Sequence, residues 1–137
     1  MQQEKITVRT VVNADKQKVW NYYIKPEHII NWNFARNDWH CLRASNDLKV
    51  EGRYFERMET KDGSWGFDFD AVYTEIQHGK YFIYEFGGRF ATVEFKETNG
   101  QTEVIISFDP ENEYPIETQR NVRQAIPDNF RKYVEEN

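Results

Sequence analysis

The chain has 137 residues, a length typical of one domain with its own hydrophobic core, and we expect a single domain over residues 1–137. Its 23 acidic and 18 basic residues give a formal net charge of -5, and the Lys and Arg residues are scattered, which argues against a nucleic-acid partner. No apolar run approaches a membrane span, MQQEKITV lacks the apolar core of a signal peptide, and Cys41 is the only cysteine, so we expect a cytoplasmic protein.

The first residues predict a strand followed by two short helices. In residues 5–12 the side chains alternate with a period of two and include many β-branched residues, which is typical of a strand. Asn13 and Asp15 are candidate helix caps. The apolar residues after them recur at helical spacing: Val19, Trp20, Tyr23 and Ile24. Pro26 breaks this pattern and is well suited to open a second short helix through residues 28–32.

Residues 39–108 predict a series of strands joined by short turns. The turn-forming groups are Ser45-Asn46-Asp47, Lys61-Asp62-Gly63, His78-Gly79, Gly87-Gly88 and Asn99-Gly100. The Asn-Gly pair between VEFKE and TEVIISF is the strongest hairpin signal in the chain. Connections this short join antiparallel neighbours, so we predict a meander of about six strands.

The last part of the chain predicts one long helix. Helical periodicity returns after Pro110, and one stripe contains Ile116, Gln119, Val122, Ile126, Phe130 and Tyr133. Pro127 lies within this stripe, where it lacks a backbone donor and crowds the carbonyl four residues earlier. We therefore expect a kink at Pro127, or a break between two helical segments.

The stretch WGFDFDA, residues 65–71, permits two interpretations. On a strand, Phe67 and Phe69 share one face while Asp68 and Asp70 share the other. A straight strand offers calcium only these two carboxylates, too few for its usual six or more oxygen ligands, so we place the aspartates on the solvated face. The same alternation assigns further residues to the inner face: Tyr54, Met58, Val93, Phe95, Val104, Ile106 and Phe108.

The order of these elements resembles the helix-grip fold of START-like and pollen-allergen-like proteins, the SRPBCC superfamily. Particular segments resemble the family named after the C-terminal domain of the activator of heat-shock-protein-90 ATPase: VNADKQKVWNYYIKPEHIINW, DWHCLRASNDLKVEGRYFERMETKDGSWGFDFDAVYTEI, TEVIISFDPEN and DNFRKYVEEN. The resemblance implies an α+β fold in which a curved antiparallel sheet of six to seven strands wraps around a long C-terminal helix, with two short helices after the first strand.

Four sites along the chain differ from the residues usual in that family. They are Glu51-Gly52 in place of a glycine pair, Ala71 in place of the glycine after Phe-x-Phe, Val122-Arg123 in place of Gly-Trp, and Pro127 after Ile126. Proteins of the superfamily typically hold an apolar cavity between sheet and helix. Some bind lipids, sterols or polyketides, some catalyse cyclisation or dehydration, and the named family includes a co-chaperone domain.

The residue pattern indicates no metal site and no cofactor. His28, His40 and His78 lie apart in the predicted elements, and His40 and Cys41 would point to opposite sides of a strand. A glycine-rich phosphate loop after a strand is missing, and no serine has the partners of a nucleophile. The sequence therefore assigns no catalytic residue.

Glu56 is the exception to the apolar inner face. Since Tyr54 and Met58 point inward, the pleat directs Glu56 inward as well. Three interpretations remain open: a structural residue that reaches water or pairs with an arginine, a polar anchor for a ligand, and a catalytic acid or base.

We predict reversible binding of a hydrophobic or amphipathic small molecule between the sheet and the last helix. One alternative is a cyclase or dehydratase in which Glu56 with Tyr54 or His40 moves protons, and another is a co-chaperone-like domain with a chaperone partner. The predicted ligand-binding residues are Trp32, Phe34, Trp39, Tyr54, Glu56, Met58, Phe67, Phe69, Tyr84, Val93, Phe95, Ile106, Val122 and Ile126.

Overall fold

A computed structural model describes residues 4–137 of the chain. Three helices and seven strands follow one another in it: β1 (Ile6–Val12), α1 (Lys16–Ile24), α2 (Pro26–Ile29), β2 (Trp39–Asn46), β3 (Arg53–Thr60), β4 (Gly66–Gln77), β5 (Tyr81–Phe86), β6 (Arg89–Thr98), β7 (Gln101–Phe108) and α3 (Ile116–Glu136). The predicted α+β helix-grip fold is confirmed.

The seven strands form one curled antiparallel sheet in the order β1-β7-β6-β5-β4-β3-β2. Strands β2 to β7 are the predicted meander, in which each strand pairs with the next along the chain. β1 joins the far side of this meander by pairing with β7, with Ile6 opposite Phe108. The two short helices therefore connect strands that lie at opposite edges of the sheet.

The two short helices begin as their sequences predict. The Asp15 carboxylate accepts a hydrogen bond of 2.9 Å from the Lys18 backbone N–H, which caps α1. Pro26 occupies the first turn of α2, where its missing N–H costs nothing.

The last helix runs without a break from Ile116 to Glu136, and Pro127 lies inside it. The break that we considered at Pro127 is therefore not observed, although Pro127 has no N–H to donate to the Arg123 carbonyl. None of the helices in residues 4–137 is long and apolar enough to cross a membrane.

Aromatic rings hold the C-terminal half of α3 in place. The Phe130 ring meets Trp32 edge-on at 4.8 Å between centroids and Tyr23 edge-on at 5.0 Å. Trp32 and Tyr23 also contact each other, with centroids 4.8 Å apart. We call these three residues the aromatic clamp, since they join α1, the segment after α2, and α3.

The turn before β3 contains a non-glycine residue with a positive φ angle. Glu51 has a φ angle of 70°, in the left-handed region that glycine adopts without cost, and the resemblance stated from the sequence implies glycine at this position. Gly52 must stay glycine for another reason. A Cβ atom added to Gly52 would lie 2.0 Å from the Asp47 carbonyl oxygen. Because of its positive φ angle, Glu51 bears backbone strain in this turn.

Replacing Glu51 with Gly is expected to raise the free energy of unfolding by about 0.5 to 1 kcal/mol, because relief of left-handed strain exceeds the added chain entropy of glycine. Glu51→Ala is the matched control, since it removes the carboxylate but keeps Cβ and its strain. Urea denaturation measures both. Equal stabilisation by Ala and Gly would show that the carboxylate, not the backbone, carries the strain.

Candidate functional site

A cavity of about 360 Å³ lies between the inner face of the sheet and α3. The sheet contributes its floor and walls, and α3 covers it. One side is closed by Trp32, Asn33, Ala35, Arg36 and Trp39. Phe67 and Val122 line the cavity and are each 50% exposed, so they mark its opening to solvent. The cavity is therefore an internal apolar space with an exit.

Most of the predicted site residues line this cavity. They are Trp32, Trp39, Tyr54, Glu56, Met58, Phe67, Phe69, Tyr84, Ile106, Val122 and Ile126. The strand residues among them share one face because successive side chains alternate, and the two helix residues face the sheet at a spacing of four.

Three predicted residues lie outside the lining: Phe34, Val93 and Phe95. The Phe95 ring packs against Trp20 and Tyr23, with centroids 5.1 and 5.5 Å apart, because α1 covers that part of β6. Val93 on the same strand is fully buried in the core. Phe34 is partly buried against the core, and its carbonyl accepts a hydrogen bond of 2.6 Å from the Asn129 side chain on α3.

Several lining residues were not predicted from the sequence, and four of them carry polar groups: Tyr23, Asn33, Arg36 and Arg123. Arg123 had a usable signal, since it lies three residues before Ile126 and so shares a helix face with it. Tyr23 belonged to the recognised apolar stripe of α1, but the stripe does not say whether a residue meets a cavity or a solid core.

The paired aspartates of β4 lie on the outer face, as predicted. Asp70 forms a bidentate ion pair with Arg53 at 2.6 and 2.7 Å, and Asp68 lies 3.2 Å from Arg57. Both carboxylates are exposed, and the neighbouring strand supplies their partners. Phe67 and Phe69 take the opposite face and line the cavity.

Glu56 is 3% exposed and lines the cavity. Burial raises the pKa of its carboxyl group to about 7, while hydrogen bonds from Tyr54 and Cys41 and the positive charge of Arg123 limit that rise. Within residues 4–137 it has no cationic partner in an ion pair. Neither structural interpretation that we considered, contact with water or an arginine pair, describes this position.

The thiol and hydroxyl groups of Cys41, Tyr54 and Tyr84 around Glu56 are uncharged at neutral pH. The Cys41 thiol lies 3.9 Å from Glu56 Oε2, and burial together with this carboxyl group raises the pKa of Cys41 to about 12. Burial likewise raises the pKa of the Tyr84 hydroxyl to about 12. The pKa of Tyr54 is raised as well, first by burial and then by the charge of Glu56. Glu56 is therefore the group in this cluster whose protonation changes near neutral pH.

His40 lies on β2 opposite Glu59, outside the cavity lining. The neighbouring Cys41 is buried and reaches Glu56, as expected if adjacent strand residues point to opposite faces. The structure therefore does not bring His40 together with Glu56. Within the described residues, no group of three or more His, Cys, Asp or Glu side chains could hold a metal ion.

The comparisons with known proteins agree with this architecture. Residues 13–135 match the family described as Activator of Hsp90 ATPase homolog 1-like protein. An AHSA1-like protein from Aeromonas hydrophila, solved by NMR, is 34% identical, with a TM-score of 0.91 over 96% of this chain and 92% of that one. A protein from Cytophaga hutchinsonii, whose solution structure is known, is 41% identical, with a TM-score of 0.83 over 96% and 92% of the two chains.

A third similar structure shows the fold alone. A crystal structure of a protein from Chromobacterium violaceum is 18% identical to this chain, with a TM-score of 0.84 over 97% of this chain and 99% of that one. No curated protein matches the chain.

Phe69→Ala is expected to lower the free energy of unfolding by about 1 to 3 kcal/mol, less than a packed phenylalanine costs, because Phe69 borders space that is already open. Phe82→Ala is the matched control. Phe82 is 1% exposed and lies outside the cavity lining, so its loss should cost about 3 to 5 kcal/mol. Denaturant unfolding without added ligand compares the two variants. Equal costs would mean that the cavity is filled in solution.

Glu56→Gln is expected to stabilise the protein at about pH 9 by about 3 kcal/mol more than at about pH 4. The unfolded state loses the Glu56 proton near the ordinary carboxyl pKa of 4.5, whereas the folded state keeps it up to about pH 7. Wild-type stability therefore falls as pH rises between these values. Chemical denaturation across this pH range measures the effect, with exposed Glu97→Gln as control. A gain that does not vary with pH would place Glu56 in solvent.

Proposed function

The chain belongs to the Activator of Hsp90 ATPase homolog 1-like family, and we propose that it binds a hydrophobic or amphipathic small molecule in the cavity between the sheet and α3. The observation that carries this proposal is an open cavity whose lining is mostly aromatic and aliphatic. Its volume of about 360 Å³ falls in the range of small-molecule sites, which combine apolar walls with a few polar groups.

The geometry of the opening supports exchange of a ligand with solvent. Half-exposed apolar side chains are costly unless something covers them, and Phe67 and Val122 stand at the rim of the cavity. The Trp39 ring lies beside Phe67, with centroids 5.8 Å apart. An apolar molecule that enters between these side chains would remove them from water together with the rings inside.

The polar groups support binding more than catalysis. Proton transfer through a cyclase or dehydratase mechanism needs an acid and a base in reach of one substrate. In the described lining Glu56 is the one carboxyl group, and His40 does not reach it. The neighbouring Tyr54 and Cys41 hold their protons at neutral pH, since burial raises the pKa of both side chains.

The open interior also favours a small-molecule ligand over a protein-interaction role, because a domain that acts only through its surface gains stability from a filled core. A chaperone partner and a cytoplasmic location stay predictions from the sequence.

Filling the cavity should abolish binding. We expect the uncharged fluorescent probe N-phenyl-1-naphthylamine to bind the wild type, and Ile126→Trp to weaken its binding at least about tenfold, because the larger ring occupies the apolar space. Val72→Trp adds the same ring at an exposed position outside the lining and should bind as the wild type does. Fluorescence titration gives the Kd, and thermal melts establish that each variant folds. Equal binding by Ile126→Trp, or none by the wild type, would refute the proposal.

A further inference from the structure

Glu56 and Arg123 line the cavity at different depths, Glu56 buried on the sheet and Arg123 partly buried on the covering helix. Resting on the proposed function, we propose that the ligand is a carboxylic acid with an apolar body, that its carboxylate pairs with Arg123, and that its binding is coupled to proton uptake by Glu56. The apolar body would lie among the rings between α3 and the sheet.

Arg123 is placed to receive an anion. It is partly buried, and its guanidinium carbon lies 4.9 Å from the centroid of the Phe108 ring, a cation–π contact that holds the charge over the ring. Within residues 4–137 it forms no ion pair, whereas Arg53, Arg57 and Arg89 each have a carboxylate partner. A guanidinium without an ion-pair partner can bind a carboxylate through two parallel hydrogen bonds.

The arrangement favours an anionic ligand over a cationic one. A cation that paired with Glu56 would share the cavity with the positive charge of Arg123 and would lose nearly all of its water. Arg36 also lines the cavity, but it is exposed and lies 3.3 Å from Asp38. A carboxylate at Arg123 stays partly solvated, because Arg123 itself is only partly buried. The desolvation cost is therefore smaller for the anion, and the positive charge of Arg123 attracts it.

Arg123 and Glu56 are linked electrostatically across the cavity. The positive charge of Arg123 helps to keep the Glu56 carboxyl group ionised, although the two side chains form no ion pair. A ligand carboxylate would neutralise Arg123 and bring a second negative charge near Glu56. Both effects raise the pKa of Glu56, so it takes up a proton when the ligand binds.

The other groups that face Glu56 do not compete for this proton. They are Cys41 on β2, Tyr54 on β3, Tyr73 on β4, Tyr84 on β5 and Tyr23 on α1. Burial raises the pKa of each of them, so all five are uncharged between pH 6 and 8. By linkage, binding that takes up a proton at Glu56 must strengthen as pH falls.

The test is isothermal titration calorimetry of decanoate with the full chain. We expect the Kd to be up to about tenfold lower at about pH 6 than at about pH 8, because Glu56 titrates between these values while decanoate stays ionised. The heat measured in phosphate and Tris buffers should reveal proton uptake near pH 7.5.

Three substitutions separate the roles of the two side chains. Arg123→Gln should raise the Kd for decanoate about tenfold at about pH 6, and Glu56→Gln should remove the pH dependence of binding. Arg123→Lys keeps the positive charge but loses the planar guanidinium with its paired N–H donors, so it should give an intermediate Kd for decanoate. Arg120→Gln on the same helix is exposed and outside the lining, so it should bind decanoate as the wild type does. Thermal melts establish that all variants fold.

Several outcomes would overturn the inference: tighter binding of decylamine than of decanoate, an unchanged Kd in Arg123→Gln, or pH dependence that persists in Glu56→Gln. If N-phenyl-1-naphthylamine binds and decanoate does not, this inference fails while the proposed function stands. If neither binds the wild-type protein, both fail.

Discussion

The packing of Phe130 against Trp32 and Tyr23 is the contact on which the site depends. It fixes α3 over the sheet at its C-terminal half, where Phe130 and Val134 are fully buried. Towards its N-terminus the helix is less deeply packed, and Val122 is half exposed. The large rings of the clamp hold the C-terminal half of the helix, and the cavity lies beside them, beneath residues 122–127. The cavity is therefore a consequence of where the aromatic volume is concentrated.

Glu56 is a local destabilisation that the surrounding fold tolerates. A carboxyl group among aromatic rings lacks the solvation that its charged form requires, which is why its pKa rises to about 7. Hydrogen bonds from Tyr54 and Cys41 offset part of this cost. The packing of the aromatic core stabilises the fold enough to tolerate the remainder. Violations of ordinary burial rules occur where binding or chemistry needs a polar group inside, so Glu56 is the natural centre of a binding hypothesis.

On the helix side of the cavity, α3 contributes Arg123, Ile126 and Pro127 to the lining. The resemblance stated from the sequence implies a tryptophan at the position of Arg123. Replacing a ring by a guanidinium removes apolar volume and adds a charge next to the opening. Pro127 lacks the N–H that would bond the Arg123 carbonyl, so the backbone of this turn is also more polar than in a regular helix. Under the proposed function, the covering helix would set which ligand the apolar space can hold.

The sequence by itself determined the faces and the order of the elements, because these follow from local periodicity. A period of two placed Phe67, Phe69 and Glu56 on the inner face, and short turns required antiparallel neighbours. It could not divide that face into core and cavity. Phe95 is covered by α1 and Phe69 borders open space, although both follow the same alternation. The sequence also could not predict that Arg123 lies near Glu56, or the value of the Glu56 pKa. Both depend on α3 and five neighbouring elements that meet only in the folded chain. Long-range packing decides which side chains are desolvated together, and no local pattern encodes it.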